Sequence, residues 1–212
     1  MYMPKTESFE QHSAAYDEWF EKNHAVYAAE LEVIRQLLPS AEAKGVEVGV
    51  GSGRFAAPLG IKIGVEPSEK MAALARKRGI RVVPGTAEDL PFPDNSFDFV
   101  LMVTTLCFVD DVAQSFREAF RVLKSEGCVI IGFVDKESPL GRQYAQRGEK
   151  SKFYREASFY SAPDVLKSLE EAGFKTMEIK QTLISEVGPQ IILSGFGEGA
   201  FVAIKGAKKS GE

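Results

Sequence analysis

Val46-Glu47-Val48-Gly49-Val50-Gly51-Ser52-Gly53-Arg54-Phe55 is the stretch on which the reading of this chain turns. It starts as a short apolar strand, passes glycines at the alternate positions 49, 51 and 53, and leads into what reads as the start of a helix. Glycine adopts positive φ freely and lets a ligand touch backbone that a Cβ would shield. A helix opening after such a turn points unpaired N–H groups and the positive end of its dipole at the turn's occupant. An adenosine-bearing cofactor is the usual occupant of a strand–glycine–helix unit, although several glycines in a loop specify little by themselves.

The segments on either side alternate. Before the turn, residues from about Glu7 to Glu21 carry Phe9, Tyr16, Trp19 and Phe20 among polar neighbours, which predicts an amphipathic helix. It either packs on the body or covers a ligand as a flap, about 7–22. A second helix runs from His24 to Leu38, with Tyr27, Leu31, Ile34 and Leu38 at helical spacing and Pro39 at its end. After the turn, Pro58 and Gly60 cut the next helix short.

Ile61 to Glu66 is a strand ending on an acid. Ser68 caps the helix that follows, with Met71, Leu74 and Ala75 as its buried stripe and Gly79 as its stop. Ile80 to Val83 is a third strand. Phe97 to Val103 is almost continuously apolar, as expected of a strand buried on both faces. A helix from Asp111, the turn Lys124-Ser125-Glu126-Gly127, and a strand from Cys128 to Val134 continue the alternation.

Strand and helix in this order predict an α/β fold with a doubly wound, mostly parallel, Rossmann-like sheet and helices on both faces. A capped helix over 161–172 and two closing strands, about 174–183 and 199–205, complete it, with an antiparallel strand at the C-terminus. Glycines 188, 195, 197 and 199 suggest a flexible connection, and residues 207–212 read as frayed. Residues 135–160 break the rhythm with Arg142, Arg147, Lys150, Tyr144, Phe153 and Tyr154. An insertion after a strand's carboxyl end lies over the ligand crevice of such a fold; the plainer reading is a solvated helix and loop. The whole of 1–212 reads as a single domain.

The 212 residues suffice for a sizeable core. A net charge of −4 provides no broad basic field for nucleic acid or an anionic membrane. No apolar run approaches the ~20 residues that span a bilayer, and the polar, acid-bearing start does not read as a signal peptide, so the cytoplasm is the expected location. Cys107 and Cys128 read as buried thiols. Neither they nor His12 and His24 make a metal-ligand spacing.

Three features carry the chemistry. Glu47 lies inside the strand before the glycines, and a buried carboxylate needs a partner. Glu66 ends the neighbouring strand, where its oxygens could accept both hydroxyls of a ribose. Gly85 to Asp98 follows the third strand and must also reach the crevice. With these in place, the chain resembles the class I S-adenosylmethionine-dependent methyltransferases, in the small-molecule branch typified by ubiquinone and menaquinone biosynthesis enzymes. The resemblance rests on Glu47–Gly53 and on Leu90-Pro91-Phe92-Pro93-Asp94-Asn95-Ser96-Phe97-Asp98, supported by Tyr16-Asp17, Glu66-Pro67-Ser68 and Arg117–Gly127.

The resemblance implies S-adenosyl-L-methionine as cofactor and roles for particular residues. Gly49, Gly51 and Gly53 would pass under its methionine and ribose parts. Glu47 would orient the ammonium, Glu66 the ribose hydroxyls with Pro67 beside it, and Ala87 and Glu88 would border the adenine. Thr104 would line the sulfonium end and Tyr16 would close over the site, while Arg54 could meet the cofactor carboxylate or be a surface charge. The sequence departs from the family's pattern at Thr86, where many relatives have an acid, and at Leu106-Cys107-Phe108, where many have a histidine.

No catalytic side chain is implied, because methyl transfer mainly needs alignment and exclusion of water. The partner would be a small-molecule methyl acceptor, for a monomer or homodimer. Two alternatives stay open: an NAD(P)-dependent dehydrogenase, since Gly51–Ala56 fits GxGxxA, and a non-catalytic S-adenosylmethionine-binding protein.

Overall fold

The computed structural model describes residues 5–147, 153, 155, 157–183 and 191–208. Helices α1 (Glu7–Lys22) and α2 (His24–Leu37) precede strand β1 (Gly45–Val48). Then follow β2 (Ile63–Val65), α3 (Glu69–Lys77), β3 (Arg81–Val83), β4 (Phe97–Val103), α4 (Val112–Val122) and β5 (Leu123–Val134). The rest is α5 (Pro139–Arg147), α6 (Ala162–Glu171), β6 (Phe174–Thr182), β7 (Leu193–Ser194) and β8 (Phe201–Lys208).

These strands form one mixed sheet in the order β3-β2-β1-β4-β5-β8-β6-β7. β3, β2, β1, β4 and β5 are mutually parallel, and β8 runs antiparallel between β5 and β6. The doubly wound α/β sheet with an antiparallel C-terminal strand is thus as the alternation predicts, and β7 adds a short antiparallel edge. The strand order reverses at β1, which has β2 on one side and β4 on the other. In such sheets the ligand crevice lies outside the carboxyl ends of those strands.

Alternate residues of the central strands feed two cores. Val46, Val48, Val100, Met102, Val129 and Ile131 pack with Phe116 and Val122 of α4 and Leu169 of α6. On the opposite face, Leu101, Val103 and Ile130 pack with Val33, Ile34 and Leu37 of α2 and Ala75 of α3. Phe20 of α1 joins this second core, so α1 is attached to the body rather than free of it.

The structure departs from the expected elements in four places. No helix follows the glycines; residues 51–60 are turns. The amides of Ala57 and Leu59 still bond back to Gly53 and Phe55. Pro58 has no N–H for the Arg54 carbonyl, and the Tyr27 hydroxyl donates to that carbonyl instead. β5 begins at Leu123 rather than Cys128: the expected turn is absorbed as an offset in its pairing with β4, where Glu126 takes a φ of 65°.

The buried stripe of α2 is Ala29, Glu30, Val33, Ile34 and Leu37: Ile34 is as expected, while Tyr27, Leu31 and Leu38 pack only partly buried at its edge. Ala207 and Lys208 lie in β8 rather than in a frayed tail, with Lys208 Nζ donating to the Leu123 carbonyl at 2.6 Å. The expectations for Lys150, Tyr154, Gly188 and residues 209–212 lie outside the described residues, as do those for the side chains of Tyr144 and Arg147.

Candidate functional site

The chain leaves β1 through a turn that only glycine fills comfortably. Gly49 has φ 69°, and a Cβ there would fall 2.5 Å from the Thr105 side chain. Gly51 faces open space, with the Met71 methyl nearest at 3.5 Å from a hypothetical Cβ, so a side chain would take volume from the cleft above. Glu66 lies directly against this turn. Its Oε2 accepts the Gly51 N–H at 2.8 Å and its Oε1 accepts the Ser68 N–H at 2.9 Å. Each oxygen keeps a lone pair for a further donor. Burial pushes the carboxyl up to about 7, opposed by those two backbone hydrogen bonds.

Glu47 sits deeper, only 2% exposed. Its Oε2 has no hydrogen-bond partner among the described residues, and the Ala56 backbone only partly offsets the cost of burying the carboxyl. Burial drives it well above the ordinary carboxylate range, and the Glu66 charge adds to the rise. A buried polar atom left without a partner marks a place built for something else.

Above these groups opens a cleft that encloses about 860 Å³, open solvent at its mouth included. Of the residues singled out in the sequence, Glu47, Gly49, Gly51, Arg54 and Glu66 line it, and so do Tyr16, Pro67, Ala87, Glu88 and Thr104. Gly53 does not line it. Its φ of 82° and a would-be Cβ 3.2 Å from Ala75 show a close approach to α3. Gly53 therefore lets the turn pack closely against α3.

Arg54 is also employed differently from the expected contact with a cofactor carboxylate. Its Nε and Nη2 donate to the two Asp17 carboxylate oxygens at 2.8 and 3.0 Å, and Nη1 reaches Glu21 at 2.5 Å. Arg78 adds a bond to Asp17 at 2.7 Å and one to the Ser52 carbonyl at 2.9 Å. The two guanidiniums hold Asp17 down to about 2, against the burial that opposes it. At the other end of α1, Glu10 accepts from the Ser68 hydroxyl at 2.6 Å. α1 is therefore latched across the cleft at both ends, with Phe9, Tyr16 and Phe20 facing inward.

The remaining wall comes from the segments after β3 and β4. Glu88 Oε1 accepts the backbone amides of Asp110 and Asp111 at 2.7 and 3.3 Å, which fixes the chain entering α4. Arg121 braces the Leu90–Asp94 segment from below, donating to the Leu90 and Phe92 carbonyls and to Glu118 and Asp94. Thr104, just past β4, has φ 52°; a non-glycine residue held there is strained, and such strain collects at functional sites. The Tyr16 side chain hydrogen-bonds Thr104, and burial raises its phenol strongly.

Comparison with known proteins gives this geometry its context. The profile of the methyltransferase domain family matches residues 46–131. A Thermotoga maritima crystal structure, described as a SAM-dependent methyltransferase and possible histamine N-methyltransferase, is 50% identical. It superposes with a TM-score of 0.92 over 96% of this chain and 100% of that one. An uncharacterized protein of Methanocaldococcus jannaschii is 44% identical over 203 residues, 94% of this chain and 98% of its own. The demethylmenaquinone methyltransferase of Chlorobaculum tepidum is 38% identical over 104 residues, 46% of this chain and 43% of its own. The chain belongs to the class I S-adenosylmethionine-dependent methyltransferases. Membership in this family tells against the dehydrogenase alternative.

Several residues of this methyltransferase's cleft escaped the sequence reading. Phe55 and Phe108 line it as aromatic wall, and Arg78 completes the latch. Glu30 was missed altogether. It is 6% exposed on the inward face of α2. The signal was available: it stands three and four positions before Val33 and Ile34, where an apolar residue belongs. Among the described residues no group of three or more His, Cys, Asp or Glu could hold a metal ion, and no helix is long and apolar enough to cross a membrane.

Proposed function

We propose that this methyltransferase holds S-adenosylmethionine in the cleft outside β1 and β4 and passes its methyl group to a small-molecule acceptor by in-line displacement. The observation that carries the reading is the buried, partnerless Oε2 of Glu47 beside a glycine turn that Glu66 closes. An ammonium suits the first carboxyl and a pair of vicinal hydroxyls the second, and the cofactor has both, so the residues present fit it.

In this reading Glu47 receives the ammonium and Glu66 the ribose hydroxyls. Gly49 and Gly51 supply backbone contact, with Pro67, Ala87 and Glu88 bordering the adenine. Thr104 and Tyr16 stand at the reactive end, and Arg54 acts by holding α1 in place. When bound, the cofactor supplies an activated methyl group on a positively charged sulfur. The chain's own residues align the acceptor and exclude water, and an isolated general base is not obligatory.

The acceptor is the finer part of the proposal. The Thermotoga protein's description makes an amine the first class to test, and the aromatic lining suits a small organic molecule better than a nucleic acid. The chain is read as one cytoplasmic domain, acting as a monomer or homodimer.

Titration calorimetry with S-adenosylmethionine and S-adenosylhomocysteine should give one site per chain in the micromolar range, with NADH giving no heat. Absence of binding by both sulfur compounds would sink the proposal. Release of S-adenosylhomocysteine over a panel of amines, phenols and carboxylates separates an enzyme from a mere binder.

A further inference from the structure

A second cavity, about 580 Å³, adjoins the cofactor cleft. The two share Tyr16, Phe20, Phe55 and Thr104. Thr104 and Tyr16 are the pair assigned above to the reactive end of the cofactor, so this cavity lies where an acceptor must approach. Trp19 and Phe153 extend a largely aromatic wall, to which Val134 also contributes. The Phe153 ring centroid lies 5.5 Å from that of Tyr16, edge-on, and 5.9 Å from that of Phe9, so this residue joins the aromatic cover of the site.

The one ionisable carboxyl on this wall is Glu30, from the buried stripe of α2. Among the described residues no hydrogen bond or ion pair reaches it. Burial alone raises its carboxyl, to about 8, with no cation set against it. A purely structural role leaves such a group unexplained, since a leucine would pack there without the desolvation cost.

We infer that Glu30 is an acceptor-binding residue, and that the acceptor is a small amine whose ammonium enters the aromatic cavity and pairs with the Glu30 carboxylate. This rests on the proposed function and deepens it. Aromatic faces attract a cation through their quadrupoles, so the wall and the carboxylate select the same charge. Pairing with an ammonium supplies the partner that the buried carboxyl lacks.

The proton balance then closes within the site. The ammonium gives a proton to the Glu30 carboxylate and frees the nitrogen lone pair. That pair forms the new N–C bond to the methyl carbon while the C–S bond breaks, its electrons staying on sulfur to leave a neutral thioether. The methylated nitrogen takes over the positive charge. Glu30 later returns its proton to water.

The test uses the full chain saturated with S-adenosylhomocysteine. By calorimetry, 2-phenylethylamine, histamine and butylamine are each compared with the alcohol counterpart. At least one amine should bind tenfold or more tighter than its alcohol. In Glu30→Gln that preference should vanish while S-adenosylhomocysteine still binds within twofold of the parent value. With a methylated amine, the pH at which kcat/KM levels off should move upward in Glu30→Gln, because the substrate must then lose its proton to solvent.

Binding of no amine, equal binding of amine and alcohol, or a preference that survives in Glu30→Gln overturns the inference. Intact S-adenosylhomocysteine binding in those cases leaves the proposed function standing. A parent protein that fails to bind S-adenosylhomocysteine overturns both.

Discussion

Glu47 is the residue at which structure and chemistry are most tightly joined. In the free protein burial drives its carboxyl well above the ordinary carboxylate range, which favours the protonated form. An ammonium placed against Oε2 favours the ionised form, so binding expels a proton. Affinity for S-adenosylhomocysteine should therefore rise with pH up to the point where the free carboxyl itself ionises. Calorimetry in two buffers of different ionisation enthalpy should show this proton release, and Glu47→Gln should abolish it. Loss of a charge-assisted bond of this kind weakens binding by about 1.5–3 kcal/mol, or roughly tenfold to a hundredfold. Glu47 was legible in the sequence because an acid inside an apolar strand is out of place. Glu30 was overlooked because an acid on an amphipathic helix ordinarily faces water, and only its spacing to Val33 and Ile34 marks this one as inward-facing.

At the scale of elements, α1 decides whether the cleft is a site or a groove. The sequence predicted an amphipathic segment carrying Tyr16, and an aromatic stripe there meant either packing or a cover. The structure combines the two: Phe20 enters the core while Phe9 and Tyr16 face the cleft. The partners that secure α1 could not be read beforehand, since Asp17 lies 37 residues from Arg54 and 61 from Arg78. The absent helix after the glycines had a visible cause in Pro58, but the Tyr27 hydroxyl that replaces its missing donor did not. Asp17→Asn keeps the shape of the side chain and removes its charge from two guanidiniums. It should cost about 1–2 kcal/mol of α1 docking, since both cations are only partly buried. Amide hydrogen exchange over 7–22 should quicken, and S-adenosylhomocysteine should bind several-fold more weakly. Unchanged exchange there would show that the aromatic contacts alone hold α1. With its carboxyl held to about 2, Asp17 contributes stability above pH 3.8 that is lost as pH falls through about 2.

For the molecule as a whole, three carboxyls, two on the cleft and one on the cavity beside it, dominate the response to pH. Glu30 is raised to about 8 and Glu66 to about 7, each from 4.5. Glu47 is raised well above the same reference. A carboxyl raised in the folded state binds protons there that the unfolded chain has already released. Its contribution is complete below pH 4.5 and is lost as pH climbs through the raised value. The free protein should therefore lose stability between about pH 5 and 8, opposite in sign to the effect of Asp17 and in a separate window. The Glu30 shift alone corresponds to an upper bound of about 5 kcal/mol, and 1 kcal/mol moves the Tm of a chain this size by about 2–4 °C. Scanning calorimetry from pH 5.5 to 8.5 should show Tm falling by several degrees or more. Glu30→Gln should flatten the slope, because its amide has no proton to lose. Saturating S-adenosylhomocysteine should flatten it further, by giving Glu47 a cation that makes its ionised form welcome. A Tm that is level or rises over this range in the free parent protein would mean that the crevice carboxyls are better solvated than their burial implies, and the cation-seeking character assigned to Glu30 and Glu47 would lose its physical basis.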